Sequence, residues 1–143
     1  METKFEEIYR LFLSSVDDYE LSEVSEEELN EVMKTYLIKA VVTLQMAMME
    51  VGEFDEDLEI FKDKLSHPEK VILGKSMKLE WLGEKLYSAD LMRKDIGDRD
   101  YKAVQGTDYL RQIGVMESRL RKEIHRDIID LSYTDKSEMG GLW

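Results

Sequence analysis

Residues 66–88 decide the fold: Ser66-His67-Pro68-Glu69-Lys70-Val71-Ile72-Leu73-Gly74-Lys75-Ser76-Met77-Lys78-Leu79-Glu80-Trp81-Leu82-Gly83-Glu84-Lys85-Leu86-Tyr87-Ser88. Pro68 is the only proline of the chain, and proline suits a first helical turn, where its missing N–H has no intrahelical partner to lose. Ser66 stands before it as an N-cap. Ile72, Leu79, Leu82 and Leu86 recur at helical spacing, and Leu73, Met77 and Trp81 make a second apolar stripe. A helix apolar on two faces is enclosed by neighbours rather than laid on a surface. The spacing therefore predicts a central helix that places Ile72, Leu79, Trp81, Leu82 and Leu86 in the core.

Upstream, Ser25-Glu26-Glu27-Glu28 reads as a capping box with an acidic first turn. Behind it Leu29, Val32, Met33, Tyr36, Leu37, Ala40, Val41, Leu44, Met48 and Val51 follow the i, i+3, i+4 rule. From Tyr36 onward this helix is apolar nearly all round, because Ile38, Val42, Met46 and Met49 fill its other faces. That half must be covered by the fold or by another subunit, and Gly52 is the expected C-cap. Residues 3–16 read as a short amphipathic helix on Phe5, Ile8 and Phe12. Residues 53–65 read as an acidic loop carrying a helical turn, and residues 89–96 extend the central helix weakly. A last helix begins at Thr107. Ile113, Met116, Leu120, Ile124, Ile128 and Leu131 line one of its faces, and Arg111, Arg119, Lys122 and Arg126 line another. Its signal stops at Ser132, so residues 134–143 are expected to form a flexible tail. No alternating apolar and polar run supports a sheet of any size. The expectation is an all-α fold: one domain over residues 1–133, a bundle of about four helices.

Composition narrows the function classes. With 143 residues, 43% of them hydrophobic, the chain can bury a core. No stretch approaches ~20 uncharged apolar residues, so no membrane span is expected. The acidic start, Met1-Glu2-Thr3-Lys4-Phe5-Glu6-Glu7, has no secretory h-region. Cysteine is missing altogether, which excludes disulfides and thiolate chemistry. A net charge of −12 argues against sequence-independent binding to phosphate backbones and against anionic membranes.

Motifs for catalysis are incomplete. Leu73-Gly74-Lys75-Ser76 resembles the end of a phosphate-binding loop, but Glu69 stands where that loop needs a glycine, and the segment is helical. Glu50, Glu53 and Glu56 recur every third residue, as in helical magnesium-dependent nucleotide pyrophosphatases. The second Glu-x-x-Asp half fails, because Glu80 and Glu84 are followed three residues later by Gly83 and Tyr87. Asp95, Asp98 and Asp100 lack the glutamate that closes a calcium loop. His67 and His125 have no zinc-binding spacing, and no Gly-x-Ser-x-Gly is present. Neither an enzyme nor a resident metal or cofactor is expected.

Charge is polarised along the chain. Through residue 31 there are eleven acids against Lys4 and Arg10, whereas the last helix carries the basic stripe. The plain interpretation is a solvated face supported by i, i+4 pairs. The sharper one is contact between copies, the acidic region of one facing the basic stripe of the next.

Several segments together resemble small proteins of the head–tail region of long-tailed phages and prophages. They are Tyr9-Arg10-Leu11-Phe12-Leu13, Tyr36-Leu37-x-x-Ala40, and Ile72-Leu73-Gly74-Lys75-Ser76-Met77-Lys78-Leu79-Glu80-Trp81-Leu82 with Lys85-Leu86-Tyr87-Ser88. Asp98-x-Asp100-Tyr101-Lys102, Tyr109-Leu110 and Ile128-Ile129-Asp130-Leu131-Ser132-Tyr133 complete the pattern. One departure is Ala103-Val104-Gln105-Gly106-Thr107, where that family carries a Ser-Pro-Ala-Asn-like segment. The resemblance implies a structural head–tail connector, or neck adaptor. It would form a ring, expected to be twelvefold, below the portal protein, extending the DNA channel and docking the next neck or tail protein. It implies a virion location at the head–tail junction, and host cytoplasm during assembly. It also implies that the C-terminal segment reaches the portal, with Tyr133, Met139, Leu142 and Trp143 as its anchors. Arg111, Arg119, Lys122 and Arg126, with Ile38, Val42, Met46 and Met49, are the expected subunit interface. The alternatives are a helical regulatory adaptor that dimerises through residues 36–51, and the magnesium-dependent pyrophosphatase.

Overall fold

The computed structural model describes residues 2–16, 25–47, 49–96 and 107–140, and their side chains except those of 88–96, 107–110 and 134–140. In chain order they form strand β1 (Thr3–Lys4), helices α1 (Phe5–Ser15) and α2 (Glu26–Met46), strands β2 (Phe54–Asp55) and β3 (Ile60–Phe61), and helices α3 (His67–Ile96) and α4 (Thr107–Gly140). The fold is all-α, and among the described residues it is a bundle of four helices with a minimal sheet.

The central helix is α3, capped as the sequence requires and reciprocally. Ser66 N donates to Glu69 Oε1 at 2.9 Å, and Glu69 N donates to Ser66 Oγ at 3.3 Å. At α2 the Ser25 hydroxyl accepts from Glu28 N at 3.2 Å. Both caps satisfy backbone donors that a helix start leaves unpaired.

Helix α3 packs against all three others. Glu7 meets Lys70 at 3.0 Å, and Leu11 lies over Gly74, so α1 runs parallel to it. A Cβ on Gly74 would stand 3.2 Å from Leu11 Cβ, so the glycine sets how closely the two helices cross. Tyr36 Oη donates to Glu84 Oε2 at 2.6 Å, and Thr43 approaches Glu80, so α2 runs antiparallel to α3. Lys75 pairs with Glu123 at 2.8 Å and Asp127 at 2.6 Å, and Pro68 and Val71 share a recess with Asp130 and Leu131. Helix α4 is therefore antiparallel to α3 as well. By helical spacing, Lys75 and Val71 lie across α3 from Glu80 and Glu84. Helices α2 and α4 thus flank α3 on opposite sides and run in the same direction.

Of the expected core residues, Ile72, Trp81 and Leu82 are buried, while Leu79 and Leu86 are half-buried against the core. Phe5, Ile8, Phe12, Leu37, Leu44, Leu73 and Met77 are essentially sealed from solvent.

Three expectations are corrected. Residues 53–65 hold a β-hairpin instead of a helical turn: β3 pairs antiparallel with β2 and with β1, Phe61 facing both Phe54 and Thr3. Strands of two residues are too short to show an alternating pattern. They are held by stacked rings, Phe5 to Phe61 at 5.0 Å and Phe54 to Phe61 at 6.2 Å, and by Thr3. The Thr3 hydroxyl donates to Asp63 O and accepts from Leu65 N. Second, Gly52 does not cap α2. The helix stops at Met46, where Ala47 N returns to the carbonyls of Thr43 and Leu44. Gly52 serves the connection instead, at φ 78°, where a Cβ would collide with the Asp63 carboxylate. Third, residues 134–140 are helical, since α4 runs on to Gly140. No proline interrupts that stretch, and losing apolar periodicity marks the loss of a core partner, which is not the same as the end of a helix. Because Ile72 and Lys75 face Leu131 and Asp127, residues 134–140 lie past the start of α3.

Two substitutions test this packing by chemical denaturation. Trp81→Ala is expected to cost about 3–5 kcal/mol, and a loss below about 1 kcal/mol would place the indole outside the core. Gly74→Leu is expected to cost about 1–3 kcal/mol by forcing α1 off α3; unchanged stability would refute the close crossing.

Candidate functional site

Helix α4 touches α3 along one side, with Ile113, Leu120 and Ile124 buried. The opposite side carries Arg111, Val115, Arg119, Lys122, Arg126, Ile129 and Tyr133, all exposed, at steps of three and four residues that keep them on one stripe. Glu123 borders this stripe, sharing a shallow recess with Arg119, Lys122 and Arg126, and exposed Asp130 follows Arg126 at i, i+4. Glu117 holds Arg121 at 2.9 Å, and Glu123 and Asp127 hold Lys75. Among the described residues Arg111, Arg119, Lys122 and Arg126 make no ion pair. The i, i+4 partner of Lys122 is Arg126, a repulsive pair on a solvated helix.

The second surface belongs to α2. Its buried side is Met33, Tyr36, Leu37, Ala40, Val41 and Leu44. Its outer side presents Glu28, Glu31 and Thr35, then Ile38, Val42 and Met46. Val42 is 51% exposed and Met46 82%, while Ile38 is half-buried. The first-turn acids suit the helix dipole, but Glu31 lies beyond its reach and repels Glu27 at i, i+4. Of the residues expected to cover the apolar half of this helix from outside, Met49 is misplaced. It follows the helix end, its N–H bonds Leu44 O, and the turn carries it into the core at 5% exposure.

The expected docking segment is described in part. Tyr133 is 67% exposed, and Met139 belongs to the helical extension of α4. Leu142 and Trp143 lie outside the described residues, as do Asp98, Asp100 and the acids Asp17, Asp18, Glu20 and Glu23.

The catalytic candidates do not converge. Glu53 pairs with Lys62 at 3.3 Å, and among the described residues no three His, Asp or Glu side chains gather as metal ligands. Gly74, Lys75 and Ser76 sit mid-helix: the glycine admits α1, the lysine binds α4, and the serine is buried. Burial pushes the Tyr9 phenol well above its ordinary pKa, with Glu59 and Glu31 adding to the shift, so it stays protonated and is no base. An open cleft of about 460 Å³ between α2 and α3 is lined by Tyr36, Lys39, Glu80, Gly83, Glu84 and Tyr87. It contains no nucleophile set against a base.

The Lys75 cluster is masked in the sequence by its Gly-Lys-Ser string, which matches the end of a phosphate-binding loop. Its signal was the acidic pair Glu123 and Asp127, four apart on the helix facing it. Compared with known proteins, the chain matches no protein-family model, no curated protein and no solved structure. No helix among the described residues is long and apolar enough to cross a membrane.

Partial burial works against the Lys75 ammonium, but hydrogen bonds to Asp127 and Glu123 outweigh it and raise its pKa. A raised folded-state pKa means the stabilisation is complete below the unfolded-chain value near about 10.4 and is lost as pH climbs through the folded value. Lys75→Met is therefore expected to lower stability by about 1 kcal/mol at neutral pH and to narrow its gap to wild type above about pH 10.4. A gap independent of pH would refute the pairing.

Proposed function

We propose that this chain is a structural, non-catalytic subunit that works by assembling with copies of itself and with larger partners. Its place is that of a head–tail connector, or neck adaptor, of a long-tailed phage: a ring below the portal that continues the DNA channel and receives the next neck or tail protein. The location comes from the resemblance carried by Ile72–Leu82, Asp98–Lys102 and Ile128–Tyr133. One structural observation supports assembly. Two outer helix faces, on α2 and α4, are largely exposed among the described residues and differ in charge, Glu28 and Glu31 on one against Arg119, Lys122 and Arg126 on the other. A solvated monomer gains nothing from two like-charged i, i+4 pairs, Glu27–Glu31 and Lys122–Arg126.

The rest is consistent in chemistry. An acidic subunit lining a channel lets DNA slide without sticking, because like charges repel and no counterions are released. The extension of α4 past α3 makes the C-terminal docking element a helical arm rather than a loose tail, with Tyr133 at its root. A second reading, a dimer formed through α2 alone, draws support from the exposure of Val42 and Met46.

Mass measurement of the protein, alone and co-expressed with the portal encoded in the same genome, separates the readings. The connector predicts a portal-containing particle with many copies, and the α2 dimer predicts a particle of twice the chain mass that ignores the portal. Removing residues 134–143 is expected to abolish portal docking while leaving helicity intact. Docking that survives this truncation would refute the arm.

A further inference from the structure

We infer that the interface between copies is a parallel helix pair, the outer face of α2 from one copy lying along the outer face of α4 from the next. The inference rests on the self-assembly reading above and specifies its surface and register.

Spacing is the first argument. The outer face of α2 runs Glu28, Glu31, Thr35, Ile38, Val42, in steps of three, four, three and four. The outer face of α4 runs Arg119, Lys122, Arg126, Ile129, Tyr133, in the same steps. Laid parallel, Glu28 meets Arg119, Glu31 meets Lys122, Ile38 meets Ile129 and Val42 meets Tyr133. Acid lies against base at one end and apolar against apolar at the other. Residues recurring at this spacing form the seam of paired helices, and opposite charges across it set partner and direction.

The competing arrangements lose these matches. An antiparallel α2–α4 pair that keeps Glu28 near Arg126 places Val42 near Arg111, an apolar side chain on a guanidinium. A parallel α2–α2 pair sets Glu28 and Glu31 against themselves, and the antiparallel one sets Glu28 against Met46. Duplex nucleic acid would match the cations of α4 but not Val115, Ile129 and Tyr133, and the chain's charge of −12 opposes it.

The fold supplies the second argument. Within one copy α2 and α4 flank α3 on opposite sides and run in the same direction. Copies repeated side by side in one orientation therefore bring α2 of one to α4 of the next in parallel, the heterologous kind of contact from which rings, or open filaments where the rotation does not close, are built. The register adds a stagger. In one copy Tyr36 is level with Glu84 and Lys75 with Glu123 and Asp127, which sets Tyr36 level with roughly residue 116 of its own α4. The seam sets it level with Asp127 of the neighbour's α4, so neighbours slide by roughly eleven residues, about 16 Å. A closed ring takes up this slide by inclining its helices to the ring axis.

The test is charge reversal with complementation, read by light scattering at rising protein concentration with circular dichroism as a check on folding. The variants Glu28→Lys/Glu31→Lys and Arg119→Glu/Lys122→Glu should each self-associate about tenfold more weakly or worse, and mixing the two should restore assembly. Reversal variants that associate like wild type would overturn the seam and leave self-assembly standing, whereas a wild type that stays monomeric at millimolar concentration would overturn both. Cysteine pairs in this cysteine-free chain check the direction. Val42→Cys/Tyr133→Cys should cross-link between copies on oxidation and Val42→Cys/Arg111→Cys should not, and the reverse result would overturn the parallel register. Binding of mixed-sequence duplex DNA that depends on Arg119 and Lys122, without self-association, would also overturn the proposal.

Discussion

Everything in this structure depends on one helix being covered from several sides at once. Apolar side chains point from α3 in two directions, Leu73, Met77 and Trp81 one way, Ile72 and Leu82 the other. Leaving either set in water would cost roughly 1.5–3 kcal/mol per large side chain. Helices α1 and α2 cover the first set and α4 covers the second. Gly74 lets α1 approach, Lys75 fastens α4, and Glu84 takes the Tyr36 hydroxyl from α2. The outer helices are spent on covering α3.

The division between inner and outer faces explains why charge is sorted as it is. Glu123 and Asp127 of α4 are drawn into contact with Lys75, and among the described residues the cations Arg111, Arg119, Lys122 and Arg126 form no ion pair. On α2 the acids gather at the helix start, where the dipole favours them, and the exposed apolar residues follow towards its end. The outer faces thus differ in composition along their length, and a helix with such a gradient accepts one partner direction better than the other.

Much of this was legible in the sequence, and the failures have physical causes. The helices, the Ser25 and Ser66 caps and the central place of α3 follow from periodicity and capping chemistry, because each depends on residues close in the chain. The hairpin did not show, since two-residue strands held by Phe5, Phe54, Phe61 and Thr3 depend on contacts about sixty residues apart. Met49 was misassigned because a helical wheel assumes the helix continues, and α2 stops three residues earlier. The tail was misread for the opposite reason: periodicity fades when a helix leaves the core, yet α4 keeps its backbone bonds to Gly140. For the candidate site, the basic stripe and the apolar outer face of α2 were readable as separate features. Their matching steps and shared direction needed the fold, because only the packing on α3 shows which face of each helix is left over.

The antiparallel run of α4 along α3 also has a mechanical consequence. Tension applied at the Gly140 end is directed along the helix axis, so it loads the α3–α4 contact in shear. Ile113, Leu120, Ile124 and the Lys75 bridges then resist together instead of peeling apart in turn. The strand β1, fixed through Thr3 to Asp63 and Leu65, ties the chain down just before the same end of α3.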